Sequence, residues 1–137
     1  MRRTMLKSKI HKATITGVNL HYQGSCSFDP ELARAAKILP FEKIDIYNLS
    51  NGERFHTYAI YGEEGGGEIH LNGAAAWKAK RGDLVIVASY AEYEEAELHE
   101  YEPRLIYVDN NNRIIDTARD ITDPRMPYDD RLFHPRG

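Results

Sequence analysis

Apolar residues recur along this chain mostly at a period of two, interrupted by two short stretches with helical spacing. Residues 4–16 alternate loosely and end in β-branched side chains, which predicts a first strand. On such a strand Lys7, Lys9 and His11 share one face. Asp29 followed by Pro30 reads as a helix N-cap with proline at the first helical position. Leu32, Ala33, Ala35 and Ala36 supply an apolar face for about two turns, before Pro40. Residues 43–48 alternate cleanly, and Asn51-Gly52 is a hairpin signal that pairs them with the run Arg54 to Tyr61. Gly65, Gly66 and Gly67 predict a turn, 68–71 a short strand and 73–80 a second short helix. The run 84–88 is apolar throughout and predicts a central strand, whereas 91–102 holds six glutamates and predicts a solvated loop or exposed helix face. A last hairpin is expected over 105–116 around Asn110, Asn111 and Asn112. Three of the six prolines fall in residues 120–137, which predicts a poorly ordered tail.

About seven short strands and two short helices in one domain suggest a mainly β fold, a small closed β-barrel, because closure removes exposed strand edges. An open α+β sheet is the competing architecture, and periodicity does not decide between them. There are no internal repeats. With 137 residues there is room for one domain. Leu, Ile, Val and Phe account for 30 residues, enough for a thin core. Mean hydropathy is -0.59 and no apolar run approaches the roughly 20 residues a membrane span needs, so no membrane partner is expected. The N-terminus is charged without an apolar signal core, which makes cytoplasmic residence the default expectation.

A net charge of -3 argues against a nucleic-acid partner. The basic cluster Arg2, Arg3, Lys7, Lys9 and Lys12 has no interleaved aromatics for base stacking. The single Cys26 forms no internal disulfide and is expected to be a reduced, half-buried thiol. The six histidines show no metal-ligand spacing, so no metal is expected. The triple glycine lacks the lysine and hydroxyl residue of a phosphate loop.

One combination carries more. His21-Tyr22-Gln23-Gly24-Ser25-Cys26 occurs with Lys9-Ile10-His11, with Asn51-Gly-Glu-Arg-Phe-His-Thr-Tyr-Ala-Ile60, with Asn72-Gly-Ala-Ala-Ala76 and with Gly82-Asp83. Together, over about residues 1–117, these segments resemble the aspartate 1-decarboxylase family, pyruvoyl-dependent enzymes that make β-alanine for pantothenate. The resemblance implies a double-psi β-barrel with two or three short helices over residues 1–119, assembled as a homotetramer with active sites shared between neighbours. It implies self-cleavage between Gly24 and Ser25, after which Ser25 becomes the pyruvoyl group, and leaves open whether a maturation factor assists.

The residue types suit that chemistry. A serine hydroxyl is a weak nucleophile and needs a bent, activated peptide whose developing charge is stabilised; glycine at position 24 tolerates the bend. Decarboxylating an amino acid leaves electrons on Cα, so an electron sink such as a Schiff base to a carbonyl is required. A pyruvoyl ketone supplies one, whereas pyridoxal phosphate would need binding elements that are hard to house here. By resemblance, Thr57 assists ester formation, Arg54 and Lys9 bind the carboxylates of L-aspartate, and Tyr58 donates the proton to the carbanion. Arg54 offers a planar fork for that purpose. The resemblance also places Tyr22, Asn72, Gly73, Ala74 and Ala75 around the pocket, with His11 and His21 as weaker members.

In a regular strand Arg54 and Tyr58 face one side and Thr57 the other, so one site can use all three only across a bulge or a subunit boundary. The acidic segment 92–102 and the tail depart from the family pattern. The rival expectation is an inactive small β-barrel serving as a binding or scaffolding module; one band against two on a denaturing gel separates the readings.

Overall fold

The computed structural model describes residues 1–118, so the expected tail at 120–137 lies outside the described residues. Nine strands are present: β1 (Arg2–Thr14), β2 (Gly17–Asn19), β3 (Ser25–Phe28), β4 (Lys43–Asn48), β5 (Arg54–Tyr61), β6 (Ile69–Asn72), β7 (Leu84–Glu94), β8 (Arg104–Val108) and β9 (Ile114–Ala118). One α-helix, α1 (Pro30–Ala35), and two 3₁₀ segments, Gly73–Lys78 and Glu95–Glu100, complete the described residues.

The strands form one sheet in the order β2-β6-β3-β5-β4-β7-β1-β8-β9. Its connectivity forces it to curl. β1 and β2 are six positions apart in that order but consecutive in the chain. In a flat sheet they would lie about 29 Å apart, whereas the three peptide steps from Thr14 to Gly17 span at most about 11 Å. The two sides must therefore meet. The crossover residues make the join: Ile15 exchanges backbone hydrogen bonds with Asp83 and Gly82 (2.9 and 2.8 Å), while the Thr16 N–H donates to Ile69 O at 2.8 Å. This curled, mainly β sheet is a double-psi β-barrel.

Inside it lie Ile10, Ile15, Phe28, Ile44, Ile46, Ile69, Leu71, Val85, Val87 and Ile106, all essentially without solvent contact. They alternate with outward residues on β1, β4 and the first part of β7, although only β4 shows a clean period-two pattern in the sequence. Asp29 caps α1 through the Glu31 N–H and also accepts from the Gly65 and Gly67 N–H groups at 3.1 and 2.9 Å, so one carboxylate fixes both the helix start and the glycine turn.

The short helix expected over 73–80 is present as a 3₁₀ segment ending at Lys78, where Gly73 has a φ of +65° and Asn48 and Asn51 draw in the Lys78 carbonyl from outside. Three expectations are corrected. The acidic stretch begins as strand, since β7 runs on to Glu94, and only 95–100 forms the exposed helix face, as a 3₁₀ segment; Arg2 and Arg3 reach Glu94 and Glu95 at 2.9 and 3.0 Å. Cys26 is fully buried rather than half-buried, and burial pushes its thiol pKa far up. Finally, Lys7 does not simply share the face of Lys9 and His11. The β1–β7 register slips between Leu6 and Ser8, so Lys7 bulges and its ammonium turns to Glu42 at 2.6 Å.

Candidate active site

β3 brings Ser25 into the barrel wall next to β6, where the two strands pair antiparallel with Ser25 opposite Asn72 and Ser27 opposite His70. Ser25 and Ser27 point to the same side, since Cys26 between them faces the core. The Asn72 side-chain amide lies between both hydroxyls, donating to Ser25 Oγ at 3.1 Å and to Ser27 Oγ at 3.2 Å. Ser25 Oγ in turn lies 3.3 Å from the Gln23 carbonyl, an acceptor for its proton. Ser25 is only 1% exposed although Gly24 beside it is exposed. The chain thus enters the wall between these two residues.

Gly73 packs against that entry point. A Cβ at Gly73 would lie 2.7 Å from the Gly24 Cα and 2.8 Å from its N, and the +65° φ already disfavours any side chain. Tyr22 is exposed and, with Asn19, Ser27, Ile60, His70 and Asn72, lines a cavity of about 570 Å³ next to Ser25. Ala74 is exposed and Ala75 half-buried in the following 3₁₀ segment. His21 is exposed, and its backbone N–H is tied to Asn19.

On the other side of β3 lies β5, parallel, with Cys26 opposite Ala59. Continuing that register back one residue sets Ser25 beside Tyr58. The Tyr58 ring stacks on Phe41, with centroids 6.3 Å apart. Phe41 has a φ of +70°, rare for an aromatic residue, and is held there by its N–H bond to Ala59 O at 2.7 Å. The next residue, Glu42, anchors the turn: its carboxylate accepts from Lys7 Nζ, the Leu39 N–H and the Ser89 hydroxyl. These donors and the Lys7 charge outweigh burial and lower its pKa.

β4 and β5 pair without a slip from Lys43–Tyr58 to Tyr47–Arg54, so no bulge turns Thr57 outward. Thr57 sits half-buried opposite Ile44 on the core side, while Arg54, His56 and Tyr58 face out. The Arg54 guanidinium rests 3.8 Å above the Tyr47 ring, whose hydroxyl meets that of Tyr90 at 2.7 Å. Among the described residues no carboxylate lies within ion-pair distance of Arg54 or of Lys9. Lys9 is opposite Ala88 on β7 and half-buried, and it is the lysine of the described residues whose pKa burial pushes down. His11, two residues on, meets Tyr107 edge-on; burial and then the charges of Lys9 and Lys12 keep its pKa low.

The structure therefore brings Gly24, Ser25, Asn72, Gly73 and Tyr58 together, and does not bring Lys9 to them. β1 is four positions from β3 in the sheet order, and Arg54 lies about 13 Å along β5 from Tyr58. Sequence reasoning missed Ser27, Phe41 and Tyr47. Ser27 would have been visible at i+2 from Ser25 had 25–28 been read as a strand; Phe41 carries no signal in its residue type.

Comparison with known proteins fits this arrangement. The family described as aspartate decarboxylase matches residues 1–115. The chain is 54% identical over 121 residues to aspartate 1-decarboxylase of Hydrogenobaculum sp. (strain Y04AAS1), covering 88% of this chain and 95% of the relative. It is 56% identical to the proteins of that name from Methylobacillus flagellatus and Paraburkholderia xenovorans, in each case over 83% of this chain and 90% of the relative. The chain belongs to the aspartate decarboxylase family. The match takes in all the residues placed above in this aspartate decarboxylase family member, from Lys9 to Asn72 and the 3₁₀ segment after it. Among the described residues no helix is long and apolar enough to cross a membrane, and no group of three His, Cys, Asp or Glu side chains could hold a metal ion.

Proposed function

We propose that this chain decarboxylates L-aspartate to β-alanine and carbon dioxide, using a pyruvoyl group that it makes from its own Ser25. The observation that carries the reading is the buried Ser25 hydroxyl, held by Asn72 directly after an exposed glycine whose backbone abuts Gly73. A nucleophile, a polar donor beside it and a flexible residue before it are what an internal acyl shift needs. The residues present fit the group.

Maturation consumes no external reagent but water. Ser25 Oγ attacks the Gly24 carbonyl carbon; a C–O bond forms, the Gly24–Ser25 C–N bond breaks, and an ester and a free amine result. Elimination then removes the Ser25 α-proton and breaks Cβ–Oγ, so that Oγ leaves in the Gly24 carboxylate. Hydrolysis of the remaining enamine releases ammonia and leaves a carbonyl at Cα of residue 25. Thr57, next to Tyr58 in the chain but on the core side of β5, assists the ester step.

When bound, the pyruvoyl carbonyl supplies the electron sink for the pair released with carbon dioxide. This chain's own residues do the rest. Lys9 and Arg54, neither of which has a carboxylate partner among the described residues, hold the two carboxylates of aspartate. The Tyr58 phenol delivers the proton to Cα, and Asn72 with the backbone of Gly73, Ala74 and Ala75 orients the bound molecule. His11, His21 and Tyr22 border these groups. Because Lys9 is four strands from Ser25, each complete site takes its nucleophilic half from one chain and its cationic half from another, which supports a homotetramer. Neither pyridoxal phosphate nor a metal has a part in this scheme, and a maturation factor acts, if at all, on the Gly24–Ser25 bend.

The test is product formation from purified protein. Wild type should convert L-aspartate to equal amounts of β-alanine and carbon dioxide, and Ser25→Ala to none; β-alanine formation by folded Ser25→Ala would refute the reading.

A further inference from the structure

Asn72 makes two hydrogen bonds through one amide nitrogen, and maturation removes one of the acceptors. Ser25 Oγ departs with the Gly24 carboxylate, so of the oxygens that hold Nδ2 at 3.1 and 3.2 Å only Ser27 Oγ remains on the strand. Asn72 is 3% exposed, so little solvent reaches its amide. A buried amide that loses its acceptors turns to find others. Ser27 is 8% exposed, lies two residues from Ser25 on the same face of β3 and borders the same cavity. It has no part in the acyl shift.

We propose that Ser27 is a positioning residue for the mature enzyme, holding the Asn72 amide aimed at position 25 after Ser25 has been converted. The inference rests on the reading that Ser25 is converted. Before cleavage the two serines share the amide, and loss of Ser27 leaves Ser25 Oγ to hold it. After cleavage Ser27 acts alone. Removing Ser27 therefore affects the two stages unequally, which a merely structural role would not do.

The experiment compares Ser27→Ala and Ser27→Thr with wild type, following self-cleavage on denaturing gels and then aspartate turnover in fully cleaved protein. Ser27→Ala should cleave within about twofold of the wild-type rate. Its kcat/KM should then fall about three- to tenfold, the worth of one neutral hydrogen bond. Ser27→Thr, which keeps the hydroxyl, should recover most of the loss. In an Asn72→Ala background, Ser27→Ala should change turnover by less than twofold. Unchanged turnover in cleaved Ser27→Ala, equal slowing of cleavage and turnover, or an undiminished effect without Asn72 would each overturn the proposal. Wild-type protein that stays whole would instead remove the reading beneath it, a result visible before any variant is assayed.

Discussion

Gly73 and Gly24 meet backbone to backbone, so closely that a methyl group on Gly73 would sit 2.7 Å from the Gly24 Cα. The contact joins the start of the 3₁₀ segment to the residue whose carbonyl Ser25 attacks. Gly73→Ala should therefore displace Gly24, and the +65° φ adds strain of about 1 kcal/mol or more. Self-cleavage should slow at least tenfold, read as persistence of the uncleaved band. Gly52, at a φ of +80° with nothing within 4 Å of a Cβ, is the control: Gly52→Ala should cost some stability but leave cleavage near wild type.

The elements that were legible in the sequence are those with one buried face. β4 and β5 fall at the expected residues because alternation is clean and Asn51-Gly52 sets the hairpin. β3 was invisible: all four of its residues are buried, so there is no alternation, and Ser-Cys-Ser carries little strand propensity. β7 was cut short because Glu92 and Glu94 read as solvated charge, when in fact they lie opposite Thr4 and Arg2 some ninety residues away. The candidate site residues came from resemblance to a family, not from local pattern. Which of them lie on neighbouring strands was not legible, since that depends on strand order, which no local pattern encodes.

Arg54→Ala removes a planar fork stacked on Tyr47, with no carboxylate among the described residues to release. In cleaved protein, kcat/KM for aspartate should fall at least about thirtyfold, the loss expected when one partner of a charge-assisted pair is removed at a cost of about 2–5 kcal/mol. Arg54→Lys should recover little of it, because an ammonium reproduces neither the fork nor the stacking. Steady-state kinetics check both, and unchanged kcat/KM in Arg54→Ala would take the residue out of the binding site.

Asp29 links stability to pH. Burial alone would raise its pKa, but the N–H groups of Gly67, Gly65 and Glu31, with the charge of Arg113, hold it below the ordinary 3.8. A carboxylate whose folded pKa is depressed contributes stability above its unfolded value and loses it as pH falls through the folded one. Asp29→Asn keeps one acceptor and should cost about 1–2 kcal/mol near neutrality. The gap from wild type should close below pH 3.8. Thermal unfolding across pH 3–7 reads this, and parallel curves would contradict it.

Tyr58→Phe separates the two stages of the proposed mechanism. Loss of the phenolic oxygen leaves the ring on Phe41 and the Gly24–Ser25 bond untouched, so two bands should still form. Turnover needs a proton delivered to Cα, and losing a positioned acid costs about 10²–10⁴-fold. We expect kcat to fall at least about a hundredfold, with KM changed much less because Arg54 and Lys9 remain. Retention of more than half of kcat would assign the proton to another group.

The most direct test of the account is the mass of the purified protein itself. Denaturing mass spectrometry of wild type, given time or warmth, should find residues 1–24 ending in a free carboxylate and residues 25–137 with residue 25 as a pyruvoyl group. The larger fragment should gain two hydrogens, the hydride on carbon and a proton on oxygen, on borohydride treatment, and Ser25→Ala should remain a single intact chain. An intact, unmodified mass for protein that turns over aspartate at full rate would contradict the account.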